Sequence, residues 1–327
     1  MPDPAPDTTS GSWVLDEPRA TLQRKITERT GEFLLFALTP PRLATSEAEA
    51  QQIADITMDR LRPLDLDGLV LYDLDNESDR TEQERPFPFL PTMDPADYLR
   101  NHLTAWTTPT VLYRVTGKYP EATLSRWLTE QDPTRVLSVF VGASSHDKPV
   151  ATPLGRAQEL RVETAPDLLL GGVAIPERHT RRGDEHLRMH AKQVAGCSFF
   201  VTQIIYDVEA AKNLVSDYWF ECTSRGVQPV PIVFTFTVVG SMKTLQFLEW
   251  LGVDVPRWIH NDLQYSDDPL LESYEKAVAS ATDLITYCRR LGAPFGLNIE
   301  SISNRRAEIE TAVRLAATLD GVLRRNP

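Results

Sequence analysis

The sequence predicts an eight-stranded (β/α)8 barrel of the TIM type, because short apolar runs alternate with longer segments of helical periodicity along most of the chain. The apolar runs are nearly continuous, which is typical of parallel strands covered by helices on both faces. Eight strand–helix units over about 295 residues favour closure into a barrel. An open doubly wound sheet is the alternative, but no strand–helix turn carries the glycine pattern of a dinucleotide fold.

The strands are predicted from runs rich in β-branched and aromatic residues. They are residues 32–39, 68–73, 109–115, 135–141, 167–175, 198–205, 230–235 and 293–299. Helical periodicity covers residues 46–61, 120–131, 150–165, 183–195, 208–225, 240–251, 270–291 and 303–323. Ser46 with Glu49 is a capping-box signature, and Asp94 before Pro95 opens a further helix.

Two segments lie outside this alternation. Residues 1–30 are a polar N-terminal extension, with a short helix predicted near its end, and residues 31–327 form the single barrel domain. Residues 74–94 form a polar loop after the second strand, and loops of this length inside a domain are usually functional or disordered.

Composition excludes several classes of protein. The chain has 327 residues with 34 Lys+Arg against 46 Asp+Glu, and a net charge of −12 argues against a protein that binds nucleic-acid phosphates. No apolar run is long enough to cross a membrane, and Met1–Ser12 lacks the features of a signal peptide. Cys197, Cys222 and Cys288 are few and widely spaced, as in reduced cytoplasmic proteins. We therefore expect a cytoplasmic protein without nucleic-acid or membrane partners.

In barrels of this type the chemistry takes place at the carboxyl ends of the strands, which selects the candidate residues. Asp73, Glu177 and Glu300 follow or end strands there, and each is a candidate catalytic acid. Glu177 also stands beside Arg178 and His179, a set that can bind an anion or move a proton. The alternative is a structural pair between Glu177 and Arg178.

Other polar residues at strand ends are candidates for ligand binding. Gln203 offers two donors and an acceptor, which suit the amide edge of a heterocycle, although such a glutamine can also satisfy backbone groups. Tyr206 and Asn298 are further candidates for substrate contact. His186 and His190 have the spacing of two metal ligands on a helix, but no carboxylate completes the set, so we expect no metal.

Several segments together resemble the methylenetetrahydrofolate reductase family. They are FALTPPR (36–42), YDLDNESDRT (72–81), AIPERH (174–179), AKQVAGCSFFVTQIIYD (191–207), VPIVFTFT (230–237), VDVPRWI (253–259) and FGLNIES (295–301). The similarity runs from about residue 32 to residue 323 and is most specific over residues 167–207. The family is an eight-stranded barrel that binds FAD and reduces 5,10-methylenetetrahydrofolate to the 5-methyl form with a nicotinamide donor.

Matched position by position, the resemblance implies roles for three residues. His179 corresponds to an imidazole that lies against the flavin, and Lys192 to a lysine that contacts the FAD phosphates. Gln203 corresponds to the glutamine that hydrogen-bonds the pterin. The resemblance therefore implies FAD and NAD(P)H as cofactors and a small-molecule folate as substrate.

The chain also departs from the family pattern. Ala37 stands where the family has the glutamate that serves as general acid, so Asp73, Glu177 or Glu300 would have to replace it. Ala143 stands where the family has an aspartate that lies close to the flavin. Leu112 and Tyr113 stand near the position where the family has a histidine that contacts the flavin. These three differences concern the FAD site and the proton donor.

Three functions remain open at this point. The first is a divergent reductase of folate-bound methylene, with or without FAD, which the retained Gln203, His179 and Lys192 favour. The second is a folate- or flavin-binding barrel without reductase activity, partnered by a methyltransferase, which Ala37 favours. With either function the chain is expected to have a methyltransferase partner or to form a homo-oligomer. The third is a barrel enzyme acting on another heterocycle, since a fold alone does not fix function.

Overall fold

The computed structural model describes residues 21–76, 82–142 and 149–325. Its parallel strands close into a barrel in chain order, with the eighth strand paired to the first. They are β1 (Phe33–Leu38), β2 (Gly68–Leu71), β3 (Thr110–Val115), β4 (Val136–Val141), β5 (Leu170–Ala174), β6 (Cys197–Ile204), β7 (Ile232–Thr237) and β8 (Phe295–Glu300). The predicted (β/α)8 barrel is confirmed, and the open sheet is excluded.

Helices surround the barrel and cover parts of both its ends. They are α1 (Leu22–Thr27), α2 (Glu47–Leu61), α3 (Pro95–His102), α4 (Glu121–Thr129), α5 (Leu154–Thr164), α6 (Pro176–Arg182), α7 (Glu185–Val194), α8 (Val208–Ser224), α9 (Met242–Trp250), α10 (Arg257–Tyr265), α11 (Pro269–Leu291) and α12 (Arg306–Arg324). Ser46 and Asp94 cap α2 and α3 as predicted, by accepting from the amides of Glu49 and Ala96. Of the helices described, none has the length and apolarity to span a membrane.

Two of these helices have no counterpart in the sequence prediction. α6 is short and has no apolar period; its carboxyl end is closed by Gly183 with φ +70°. Its amino end is held by Glu185, which accepts from the Ile175 amide at 3.2 Å and from Arg178 at 3.0 Å. α10 follows the loop after α9 and buries Ile259 and Leu263, one helical turn apart.

The barrel interior is a packed core rather than a pore. Inward side chains of alternate strand positions fill it, and the largest that are completely buried are Phe33 and Phe199. Each of these rings lies against a glycine on a neighbouring strand: a Cβ on Gly296 would clash with the Phe33 ring, and one on Gly171 would meet the Phe199 ring at 2.5 Å. Glycine is therefore required at both positions for the rings to fit.

α1 closes the amino end of the barrel. Leu22 and Ile26 are 1% and 2% exposed and belong to the apolar cluster that fills the interior. Lys25 pairs with Asp67 at 2.8 Å, and Asp67 also accepts from the Leu34 amide at 2.9 Å. The last part of the predicted extension thus packs onto the barrel, while residues 1–20 lie outside the described part of the chain.

Candidate functional site

A connected set of polar side chains lies inside the carboxyl end of the barrel. Asn298 donates to the Tyr72 hydroxyl at 3.1 Å and to the Thr235 hydroxyl at 3.3 Å. The Thr235 hydroxyl in turn donates to the Thr202 carbonyl at 3.0 Å. The Tyr72 hydroxyl also lies near the Glu300 carboxyl. Residues from β6, β7, β8 and the end of β2 therefore form one network at the barrel mouth.

Glu300 is the acidic member of this network. Its side chain is 9% exposed, and burial raises the pKa of its carboxyl to about 7. The nearby Tyr72 hydroxyl lowers that pKa, but by less than burial raises it. Near neutral pH a substantial fraction of Glu300 therefore carries a proton. A carboxylic acid in this state can protonate a ligand that enters the mouth.

The pairing of β8 with β1 places Glu300 beside Ala37. The two residues are in register across the parallel pair, and Ala37 is 3% exposed within the interior cluster. Residues in register on neighbouring parallel strands share a face of the sheet, so both side chains point into the barrel. Glu300 thus lies one strand away from Ala37, the position that the sequence resemblance matches to a glutamate acid.

Asp73, another candidate acid, is occupied by structural contacts. It pairs with Lys118 at 2.5 Å and accepts from the Val115 amide and the Tyr119 hydroxyl, both at 2.9 Å. These three donors come from the end of β3 and the turn after it. Asp73 therefore fastens that turn to the end of β2, as an ion pair with satisfied oxygens.

Glu177, the third candidate, lies at the amino end of α6 and is 2% exposed. Burial, together with the nearby Asp254 carboxylate, raises the pKa of Glu177 to about 7. Its Oε2 atom has no hydrogen-bond partner within the described ranges. It faces the loop of residues 251–256 rather than the network around Glu300.

Replacing Glu177 with Gln should stabilise the protein at about pH 8 by about 2–3 kcal/mol more than at about pH 5. Because the pKa of this carboxyl is raised, its contribution to stability is present at low pH and is lost as the pH rises through about 7. Glutamine keeps the shape of the protonated acid and removes that loss. Denaturant unfolding at both pH values measures the difference. Glu130→Gln, at an exposed glutamate, is the control, and equal effects of Glu177→Gln at both pH values would contradict the expectation.

Gln203 is half-buried at the carboxyl end of β6. Its amide nitrogen donates to the Leu251 carbonyl at 2.8 Å, in the same loop that Glu177 faces. This contact satisfies a backbone group, as the alternative interpretation of the sequence supposed. It also fixes the orientation of the side chain and leaves its Oε1 atom and one N–H free for a ligand.

Tyr206 lies apart from the network. It is 7% exposed and packs in a separate apolar cluster beneath α9 and α10, with Leu245, Leu248 and Ile259 among its members. Of the three predicted substrate-contact residues, the structure therefore places Asn298 beside Glu300, holds Gln203 on the adjoining side of the mouth, and buries Tyr206 under the helices.

His179 and Lys192 lie in the helical layer outside the barrel. The Nε2 atom of His179 is 2.9 Å from a carboxylate oxygen of Asp217 on α8. Lys192 donates to the Val173 carbonyl at 2.6 Å and passes over Gly172, on the outward face of β5. Burial lowers the pKa of Lys192. Both side chains are thus engaged by protein groups away from the polar network.

The remaining positions of the implied flavin site give the same result. Leu112 is completely buried in the core between strands and helices, whereas Tyr113 points inward and packs edge-on against Tyr72 at 4.9 Å. Ala143 lies outside the described residues. The residues that the structure describes therefore do not fit FAD in the way the resemblance implies.

A segment between β2 and α3, here called the mouth strap (residues 82–93), reaches across the carboxyl end to α9. The indole of Trp250 donates to the Gln83 carbonyl at 3.1 Å, and the Arg85 guanidinium lies 5.2 Å from the Phe247 ring centre. Phe87 packs edge-on against Phe247 at 5.5 Å. The strap begins after β2 and reaches α9, the helix that follows β7, so it passes over the ends of β8 and β1, which lie between these strands. Part of the predicted long loop is thus a cover on the side of the mouth that contains Glu300.

Comparison with known proteins gives two concordant matches. The family model described as methylenetetrahydrofolate reductase matches residues 157–301. An uncharacterized protein from Clostridium thermocellum, solved with two copies of 5-methyl-5,6,7,8-tetrahydrofolic acid, is 39% identical and superposes with a TM-score of 0.81, covering 92% of this chain and 99% of that one. The chain belongs to the methylenetetrahydrofolate reductase family. The resemblance seen in the sequence is confirmed.

More distant matches concern the fold of this family member alone. A GH10 endoxylanase from a sugarcane soil metagenome is 8% identical with a TM-score of 0.50, covering 90% of this chain and 99% of that one. No curated protein matches the chain significantly.

Proposed function

We propose that this member of the methylenetetrahydrofolate reductase family binds a reduced folate in the barrel mouth and reduces 5,10-methylenetetrahydrofolate to the 5-methyl form, with Glu300 as the acid. The observation that carries the proposal is the place of Glu300, in register with Ala37 and with its pKa raised to about 7. Binding of 5-methyltetrahydrofolate by the Clostridium thermocellum relative supports the folate part.

The reaction needs one proton and one hydride. Glu300 gives its proton to N10 of the folate as the bond between N10 and the bridging methylene breaks, which opens the ring and leaves the methylene on N5 as an iminium. Hydride addition to that carbon gives the 5-methyl group. The Tyr72 hydroxyl, close to Glu300 and bonded to Asn298, orients the carboxyl during the transfer.

The hydride comes directly from NAD(P)H in this proposal. The residues that the family pattern matches to FAD are engaged elsewhere: His179 with Asp217 and Lys192 with the Val173 carbonyl. The proposed reaction therefore does not use a flavin. Direct transfer requires the nicotinamide and the folate to share the open part of the mouth.

Gln203 is the residue that we assign to the pterin. With its nitrogen held by the Leu251 carbonyl, its oxygen is oriented to accept from the pterin amide edge. We expect Gln203→Ala to weaken folate binding by about 1–3 kcal/mol, the cost of a lost buried hydrogen bond. Calorimetric titration with 5-methyltetrahydrofolate measures this loss. Gln131→Ala is the control, since Gln131 precedes β4 at the opposite end of the barrel, and unchanged affinity in Gln203→Ala would remove the assignment.

The proposed function is tested by following NAD(P)H loss with and without 5,10-methylenetetrahydrofolate, without added flavin. Folate-dependent loss by colourless protein is the expected result. A flavin band that copurifies, with activity that disappears when the flavin is removed, would overturn direct transfer and leave the folate reductase assignment in place.

A folate-binding protein without reductase activity is the second candidate. The observation in its favour is Ala37, which removes the family's acid from β1. In that case a methyltransferase partner would use the bound folate. Tight binding of 5-methyltetrahydrofolate with no NADH or NADPH loss over a range of pH would favour this candidate.

A further inference from the structure

We infer that His179, His186 and Asp217 form a binding site for a divalent transition-metal ion, with Zn²⁺ as its best match, between α6, α7 and α8. This site is in the outer helical layer and does not depend on the proposed function of the barrel mouth. One ring nitrogen of each histidine and one oxygen of Asp217 all lie within 4.8 Å of one another.

The three ligands are already associated without a metal. The Nε2 atom of His179 lies 2.9 Å from Asp217 Oδ2, and the two imidazole rings meet edge-on with centres 5.2 Å apart. The hydrogen bond between His179 and Asp217 therefore occupies the position that a cation would take, and metal binding would replace it. Tetrahedral Zn²⁺, with bonds of about 2.0–2.2 Å, needs ligand atoms roughly 3.4 Å apart.

The side chains are free to make this adjustment. Asp217 is 55% exposed and can rotate about its own side-chain bonds, whereas His179 is 6% exposed and fixed by its surroundings. A rigid buried imidazole with a mobile carboxylate above it allows the ligand atoms to close on an ion, and leaves the fourth position to water.

An unsatisfied nitrogen atom at the same place is a second, independent observation. Nδ1 of His186 has no hydrogen-bond partner in the described part of the chain, although the atom is buried. Buried polar atoms are almost always bonded to protein or ordered water, so this nitrogen indicates a missing ligand. Neutral imidazole and carboxylate are the donors that Zn²⁺ takes in proteins.

The charges nearby permit a cation. Arg178 and Arg188 both pair with the buried Glu185, and Arg181 lies 3.9 Å from Asp254. Three of the arginines on α6 and α7 are thus directed at carboxylates other than Asp217. Asp217 has His179 as its ion-pair partner within the described ranges.

Sequence spacing pointed to a different pair. His186 and His190 stand four residues apart on α7, but the structure joins His186 to His179 from α6 and takes the carboxylate from α8. The ligand set is therefore visible only once the three helices pack together. A metal there would fasten the short α6, which carries Glu177, to the longer α7 and α8.

The test is titration of the full-length, EDTA-treated protein with Zn²⁺ by calorimetry, and with Co²⁺ as a visible-absorption probe of coordination. We expect one ion per chain and the absorption of a low-coordinate Co²⁺ site. His186→Ala and Asp217→Asn should each weaken binding at least about tenfold, the size of a lost ligand contact. Zn²⁺ should also raise the Tm of the wild type and leave that of His186→Ala unchanged.

His190→Ala is the matched control, because it removes a histidine of the same helix outside the cluster. Wild-type affinity no greater than that of the His186→Ala/Asp217→Asn double variant would overturn the site. So would a loss in His190→Ala equal to that in His186→Ala, since the ligand set would then be wrong.

Discussion

Replacing Glu300 with Gln should lower kcat for reduction of 5,10-methylenetetrahydrofolate by about 10²–10⁴-fold, the usual contribution of a positioned acid. Glutamine keeps the length of the side chain and its contact with Tyr72, but it has no proton to give. Folate affinity should change little, because the amide fills the same space. In the wild type, kcat should fall about tenfold per pH unit above the pKa of about 7, since the protonated carboxyl is the active form.

The register of β8 and β1 supplies a rescue experiment. Glu300→Ala should lose activity as Glu300→Gln does, and adding Ala37→Glu should restore part of it by returning a carboxyl to the adjacent strand. Rescue distinguishes a missing proton donor from a damaged barrel. If Glu300→Gln keeps the wild-type kcat while the protein reduces folate, Glu300 is not the acid.

Arg114→Ala should destabilise the protein by about 3 kcal/mol, as expected when the buried cation of a partly buried ion pair is removed. Arg114 is 3% exposed, pairs with Asp94 at 2.5 Å, and lies with its guanidinium 4.3 Å from the centre of the Trp127 ring. The change leaves the Asp94 carboxylate, which burial and capping contacts hold at the start of α3, without its cation. Denaturant unfolding measures the loss.

Arg100→Ala is the control for this prediction. Arg100 pairs with Asp97 on the same helix that Asp94 caps, at 3.0 Å, but both side chains are more than half exposed. Exposed pairs contribute about 0–1 kcal/mol, so the control should stay near the wild type. Equal stability of the Arg114 and Arg100 variants would show that burial does not strengthen the Arg114–Asp94 pair.

The barrel could be predicted because its strands are marked locally. Runs such as residues 135–141 and 198–205 are apolar enough to require burial on both faces, and the structure has strands there. α6 could not be predicted in the same way. Its sequence has no apolar period, and it is held by the Glu185 side chain from the following helix. Helix propensities of single residues do not predict such a contact.

The candidate site was predicted only in part, because its geometry depends on long-range pairing. Sequence placed Asp73, Glu177 and Glu300 alike at strand ends. What separates them is the salt bridge of Asp73 with Lys118, the position of Glu177 beside the loop after α9, and the register of Glu300 with Ala37. Each of these is a contact between distant parts of the chain.

Other residues differ from expectation for a related reason. Tyr206 is covered by α9 and α10, which stand between β7 and α11 as an addition to the simple strand–helix alternation. The helical faces that hold His179 and Lys192 also depend on packing that local sequence does not reveal. The local sequence around each of these residues selected it as a candidate, but the groups that contact it belong to distant segments of the chain.

Closure of the barrel by its first and last strands has a consequence for biosynthesis. Ala37 is synthesised long before Glu300, so the paired position at the mouth does not exist until both strands have left the ribosome. Contacts between such distant residues form late and slowly. Recovery of the raised pKa of Glu300 after dilution from denaturant would thus report closure of the whole barrel.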